Sequence, residues 1–233
     1  WPETAVPFLL AESSQALTAI GDVLPDSTSL LVGSGRIVEE RDAQNHLVAT
    51  RVYNSLLAIS DKGEVLDGYD KIHLVPFGEY VPLKNSVLFF VDKLVRASGD
   101  FQAGREYTVV GVRSVAANRN VPVSTVICYE IIFPDLVRRF VNNGATVLTN
   151  VTNDAWFGDS GGPLQHLATV PLRAVENGVA IARAANTGVS ALVHPSGRIE
   201  PQLGLFRQGA LRVDVPLRTR ETFYTRFGDV FAY

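Results

Sequence analysis

The chain has 233 residues, 46% hydrophobic and only 19% charged, with 24 acidic against 21 basic side chains and a net charge of −3. That balance, with no basic run and no zinc-ligand spacing, excludes a nucleic-acid binder of the usual electrostatic kind and gives no sign of a metal site. One cysteine excludes a disulfide scaffold, no apolar stretch is long enough to span a bilayer, and the length suits a single domain over residues 1–233.

Helix and strand patterns alternate in chain order. Leu17, Ile20 and Leu24 recur at helical spacing and predict a helix from Glu12 to Leu24, closed by Pro25-Asp26. Ser29 to Gly33 reads as a short buried strand. Arg51 to Ser60 and Glu64 to Tyr69 read as a hairpin around the turn Asp61-Lys62-Gly63. Asn85 to Ala97 has a helical pattern, and Tyr107 to Val112 and Val123 to Ile127 are strand-like. A helix follows from about Pro134 to Asn143, then a strand from Thr146 to Val151. Leu164 to Asn177 reads as a helix that Pro171 should break or kink outside the first turn. Val179 to Ala184, Ser190 to His194, Arg198 to Pro201 and Gly209 to Val215 read as strands, with Pro195-Ser196-Gly197 as a hairpin turn. Buried strands interleaved with helices predict an α/β sandwich.

The chemistry centres on Cys128. It ends the apolar run Val123 to Ile127 and precedes a helix, so it falls at a strand's carboxyl end, where open α/β sheets place reactive groups. A lone cysteine is more often a small buried hydrophobe. Two charged residues beside other strand ends or turns change that balance: Glu3 and Lys71. A carboxylate can take the thiol proton and later return it, and an ammonium can steady the thiolate and an oxyanion. The N–H of Tyr129 is a second oxyanion donor in this scheme. Together these parts support acyl transfer through a thioester with no cofactor. Spacing alone leaves open whether the three side chains meet.

At these residues the sequence resembles the nitrilase (carbon–nitrogen hydrolase) superfamily, whose catalytic Glu, Lys and Cys occur in this chain order. The resemblance runs through Trp1-Pro2-Glu3, Tyr53-Asn54-Ser55, Tyr69 to Pro82, Ile127-Cys128-Tyr129-Glu130, Thr152 to Ser160 and Tyr224 to Asp229. It is strongest to the branch whose members acylate bacterial lipoproteins. The resemblance implies an αββα sandwich with Glu3 as general base, Lys71 as oxyanion-stabilising cation and Cys128 as nucleophile. It gives supporting roles to Glu79, Tyr129, Glu130 and Asn54. From the residues themselves, Glu79 has the lesser alternative of a turn cap, Tyr129 and Glu130 read equally as packing and a salt bridge, and Asn54 as a satisfied buried amide.

The implied reaction moves an acyl chain from a phospholipid, typically phosphatidylethanolamine, to Cys128. The thioester then passes it to the N-terminal amine of a diacylglyceryl-cysteine lipoprotein. The implied setting is the bacterial inner membrane, with the domain on transmembrane helices and facing the periplasm. The chain begins on Trp-Pro-Glu without methionine and reads as a piece of a longer protein, without the family's first strand and membrane helices. The apolar segments Val81-Pro82-Leu83 and Val87 to Val91 read either as a bilayer contact or as a helix face on the core.

Two rival readings are weighed. Gly158-Asp159-Ser160-Gly161-Gly162-Pro163 copies a serine-protease nucleophile, yet a loop-like aromatic stretch precedes it where a nucleophile elbow needs a strand. A soluble amide hydrolase with the same three residues and water as acceptor is the closer alternative. His46, His73, His166 and His194 show no ligand spacing, and His73 reads as structural or orienting.

Overall fold

Period-two alternation in the first half of the chain builds a sheet with two apolar faces. In the computed structural model, which describes residues 1–80, 101–114 and 116–230, β1 (Ser29–Arg41), β2 (Leu47–Ser60) and β3 (Val65–Asp70) pair antiparallel in that order. Val32, Leu57 and Ile59 point to one side, where α1 (Ser14–Val23) covers them with Ala16, Leu17 and Ile20. Ser13 caps α1 by accepting from the Ala16 N–H at 3.4 Å. Leu31 and Leu56 point to the other side, into the core shared with a second sheet.

That second sheet has six strands in chain order: β4 (Val110–Ser114), β5 (Arg119–Ile127), β6 (Val147–Asn153), β7 (Ala180–Asn186), β8 (Ser190–Val193) and β9 (Ile199–Leu203). β5, β6 and β7 run parallel, so each needs a crossover, supplied by α2 (Pro134–Asn142) and α3 (Gly162–Asn177). Val137, Phe140, Val170 and Ala174 from these helices are buried with Val126, Leu148 and Ile181. Tyr69 of β3 meets Phe140 edge-on at 5.3 Å between ring centres. Burying a side chain such as Phe140 stabilises the fold by about 1.5–3 kcal/mol. The layers are therefore helix, sheet, sheet, helix: the αββα sandwich expected from the sequence. Parallel β5 and β6 deliver their carboxyl ends, and the residues just after them, to one edge.

Several elements differ from expectation. β1 does not stop at Gly33 but runs to Arg41 beside a β2 that starts at Leu47. The added arm is largely exposed and held by cross-strand pairs such as Arg51–Glu40 at 2.9 Å, so it lacks the apolar run that signals a buried strand. Gly209 to Val215 joins no sheet, although it is outwardly strand-like; Val215 instead packs, with Leu217, against Val121, Val123 and Val147. Pro171 sits well inside α3, which continues through it. Burial of Leu167, Val170 and Ala174 around it offsets the roughly 3 kcal/mol that an interior proline costs. The motif at Tyr224 to Asp229 contains a short helix, α4 (Phe223–Phe227). Arg138 of α2 fastens it by donating to the carbonyls of Tyr224, Thr225 and Arg226 at 2.9–3.0 Å.

The expected helix from Asn85 to Ala97 and the apolar segments Val81 to Leu83 and Val87 to Val91 lie outside the described residues. No helix among the described residues is long and apolar enough to cross a membrane.

Candidate active site

Glu3, Lys71 and Cys128 reach one cleft from three separate loops. Glu3 passes directly over β1: the Ala5 N–H donates to the Gly33 carbonyl at 3.1 Å, and a Cβ on Gly33 would stand 2.6 Å from the Glu3 Cα. Its carboxylate is buried. Oε2 accepts the backbone N–H of Asn153 at 2.9 Å, and Oε1 accepts the Asn54 amide at 2.7 Å.

Lys71 follows β3 and is pinned on both sides of its backbone. Its N–H donates to the Asn54 carbonyl at 2.9 Å, and its carbonyl accepts the Gly104 N–H at 2.8 Å. With only 1% of its surface exposed, it needs nearby anions. Nζ donates to Glu79 Oε1 at 2.8 Å, lies 3.6 Å from Glu3 Oε1 and stands 5.9 Å over the Tyr129 ring. Glu79 does both things the sequence left open. Oε1 meets Lys71 and Asn54, and Oε2 accepts the Val75 N–H at 2.8 Å, closing the turn Val75 to Glu79.

Cys128 opens a short 3-10 turn, Cys128–Ile132, directly after β5, with φ at +54°. Glu130 in that turn is fully buried and ties two loops together. It accepts from the Tyr69 hydroxyl at 2.8 Å, the Ile72 and His73 N–H groups at 2.8 and 2.9 Å, and the Ile127 N–H at 2.7 Å. The residues just after Lys71 and just before Cys128 are thereby bonded to one carboxyl. Tyr129 donates its hydroxyl to the Leu74 carbonyl at 3.0 Å, a further link between the same loops.

The electrostatics follow from this packing. Burial works to lower the Lys71 pKa, but Glu3, Cys128 and Glu79 outweigh it, so the ammonium is raised and stays charged. Burial, then the Glu3 charge, push the Cys128 thiol up to about 12, against Lys71, Thr152 and the Tyr129 N–H. At neutral pH the sulfur is a thiol, which must lose its proton to act as a nucleophile. Burial also moves Glu130 up to about 7, opposed by the N–H groups of His73 and Ile127.

A cavity of about 530 Å³ opens on this group. Its polar end is Glu3, Asn54, Lys71, Glu79, Cys128 and Tyr129; its other walls include Val75, Phe101, Trp156 and Phe157. Depressions of about 510 and 760 Å³ elsewhere include neither Lys71 nor Cys128. A thiol, a carboxylate, an ammonium and an apolar wall in one cleft suit attack on an acyl carbonyl. Among the described residues no group of three His, Cys, Asp or Glu is arranged to hold a metal.

His73 is exposed; its ring stacks on Phe133 at 3.8 Å and meets Tyr129 edge-on at 5.8 Å, and its N–H donates to Glu130. Ser160 is exposed and donates to the Phe157 carbonyl at 2.8 Å while accepting from the Gly162 N–H at 3.1 Å. It stands at the start of α3, with no strand leading into it. Sequence reasoning missed Asn150, Asp154, His166 and Arg183, which are buried and bonded around the Cys128 carbonyl. The available signal was Arg183, a charge in the otherwise apolar run Ala180 to Ala185.

Comparison with solved structures gives the class of fold. A mutant amidase from Nesterenkonia sp. AN1, with the acetamide moiety of fluoroacetamide at its active site cysteine, superposes with a TM-score of 0.55 at 22% identity, covering 85% of this chain and 66% of that one. Another mutant of that amidase, from the nitrilase superfamily, gives 0.55 at 21% identity over the same shares. The family described as carbon-nitrogen hydrolase matches residues 1–224, and the chain belongs to it. Among curated proteins it is 41% identical over 232 residues to the apolipoprotein N-acyltransferase of Rhodopseudomonas palustris, covering 99% of this chain and 41% of that protein. With the protein of the same name from Geobacter metallireducens it shares 39% over 234 residues, 100% of this chain and 42% of that protein. The chain thus spans about two fifths of the length of these relatives.

Proposed function

We propose that this chain is the catalytic domain of a lipoprotein N-acyltransferase, with Cys128 as nucleophile, Glu3 as general base and Lys71 as the oxyanion-stabilising cation. The observation that carries the reading is the meeting of Glu3, Lys71 and Cys128 at the polar end of a cavity with apolar walls. The names and identities of the curated relatives support the choice of reaction.

In the first half-reaction Glu3 takes the thiol proton as the sulfur attacks the ester carbonyl of a phospholipid, with phosphatidylethanolamine as the donor. The oxyanion is balanced by Lys71 and the Tyr129 N–H. Collapse breaks the ester C–O bond, and Glu3 returns its proton to the leaving lysophospholipid. In the second half-reaction the N-terminal amine of a diacylglyceryl-cysteine lipoprotein attacks the thioester, Glu3 takes the amine proton, and the amide leaves as the thiol re-forms. Glu79 and Asn54 hold Glu3 and Lys71 in register, and Glu130 and Tyr129 hold the loops. No metal or cofactor enters the scheme. The setting is the bacterial inner membrane, with this domain at the periplasmic face and anchored by parts of the protein outside this chain.

The apolar wall around Trp156 and Phe157 favours a lipid over the small amides of a soluble hydrolase, since Trp156 is 78% exposed beside the cavity. The test is mass spectrometry of the full-length protein incubated with phospholipid. A hydroxylamine-labile adduct of acyl mass on Cys128, discharged onto a lipopeptide amine faster than onto water, is the expected result. An unmodified Cys128 would sink the mechanism, and discharge to water alone would make the protein a hydrolase.

A further inference from the structure

Four polar side chains crowd the far side of the nucleophile loop, and none of them lines the cavity: Asn150, Asp154, His166 and Arg183. All are at least nine-tenths buried. Two of them converge on one atom. The Cys128 carbonyl accepts His166 Nε2 at 3.2 Å and the Asn150 amide at 3.3 Å.

The ring is held from both nitrogens. Nε2 faces the Cys128 carbonyl, which only accepts, so Nε2 carries a hydrogen. Nδ1 lies 2.9 Å from Asp154 Oδ1, which also accepts from the Thr152 hydroxyl at 3.0 Å. Burial disfavours the Asp154 carboxylate, but the His166 hydrogen bond and the Arg183 charge outweigh it and hold its pKa below the usual value. Arg183 Nη2 donates to Asp154 Oδ2 at 2.7 Å and lies 3.3 Å from His166 Nδ1, which closes the set on that side.

We infer that His166 is a positioning residue for the nucleophile: together with Asn150 it clamps the Cys128 carbonyl, and Asp154 and Arg183 fix its ring. The clamp answers a specific need. Cys128 has φ at +54°, a conformation that L side chains rarely adopt, and it persists only where surrounding bonds impose it. The Tyr129 N–H is among the groups that favour the Cys128 thiolate. The set also brings a cation behind the thiol: Arg183 is close enough to feel the charge of a Cys128 thiolate. Besides Asp154 and Arg183, the ring meets the Cys128 carbonyl and, at 6.0 Å, the edge of Phe157.

The inference rests on the reading of Cys128 as nucleophile, and its test is chosen to be separable from it. In the full-length protein, H166Q places an amide nitrogen near Nε2 and keeps the donor to Cys128. H166N places one near Nδ1, which keeps Asp154 and loses Cys128. The readout is the rate of iodoacetamide labelling at Cys128, located by peptide mass spectrometry at pH 7.5 and paired with melting temperature. H166N is expected to label at least tenfold more slowly, with kcat falling likewise and KM unchanged, while H166Q stays within threefold of wild type. Equal labelling by wild type and H166N overturns the inference, as does an equal loss in both variants that tracks melting temperature. Should H166N not fold, a tenfold loss in H166Q overturns it by itself. Labelling uses no acyl donor, so a wild-type Cys128 that takes iodoacetamide but never an acyl chain would bring down the proposed function instead.

Discussion

Lys71→Met tests whether the buried ammonium is what allows two carboxylates to share the site. Glu3 Oε1 and Glu79 Oε1 both accept from the same Asn54 nitrogen, at 2.7 and 2.8 Å, which puts the two oxygens about 5 Å apart. At an effective dielectric of about 20, two unit charges at that separation repel by about 3 kcal/mol. In the wild type Nζ offsets this from 2.8 and 3.6 Å, and all three side chains are too enclosed for solvent to do so. Methionine preserves the length and apolar stem of lysine and deletes the charge. Urea unfolding at pH 8 should find the variant about 3 kcal/mol less stable, with an unchanged slope. Adding Glu79→Gln should restore most of it, because only one carboxylate then remains beside Asn54. Acyl transfer should fall by about 10²–10³, since the proposed oxyanion donor has gone. A variant as stable as wild type at pH 8, or one that Glu79→Gln fails to rescue, would refute the reasoning.

Other perturbations separate position from charge. Gly33→Ala should drive its Cβ into the Glu3 Cα and the Pro2 carbonyl, both 2.6 Å away, and lower kcat/KM by about 100-fold through displacement of Glu3; near-normal turnover would show that this crossing has slack. The Glu130 carboxyl is pushed up to about 7, so its contribution of about 3 kcal/mol is fully present near pH 4 and lost as pH rises through 7. Glu130→Gln should flatten that part of the stability curve measured by thermal melts, and an unaltered slope would count against the assignment. Ser160→Ala should cost about 1 kcal/mol, for loss of its exposed hydrogen bonds to the Phe157 carbonyl and the Gly162 N–H, with activity within twofold; abolished activity would revive the serine reading.

The sequence was legible where burial writes a pattern. The apolar runs at Val123 to Ile127 and Thr146 to Val151 lie within β5 and β6 apart from Thr146, because strands covered on both faces leave polar side chains little room. Legibility failed where structure is held by partners rather than by hydrophobicity. Arg36 to Arg41 carries charges that suit a loop, and it is a strand because β2 lies opposite in register. Gly209 to Val215 has the reverse problem: its alternation is real, but no sheet edge among the described residues pairs with it. Alternation reports which faces are wet, and pairing depends on geometry far away in the chain.

The site divides in the same way. Cys128 could be located from its neighbours, since a strand that ends in a thiol is a local fact. How Glu3 is held could not, because the N–H that fixes it belongs to Asn153, 150 residues later. Weighing Glu79 as either turn cap or functional group posed a false choice, since a carboxylate has two oxygens and this one uses them separately. His166 was passed over for lack of ligand spacing, a criterion suited to metals and blind to a ring whose partners are a carbonyl and a carboxylate. Burial, and then the Glu3 charge, explain a thiol near 12: a free thiolate would be a second negative charge beside Glu3 in a buried cleft, offset only in part by Lys71. In the proposed reaction the sulfur therefore gains its charge only while passing it to a carbonyl oxygen, where Lys71 stands. A cysteine with that restriction rests as a thiol between turnovers, and its reactivity depends on how readily its proton is taken and how firmly its loop is held.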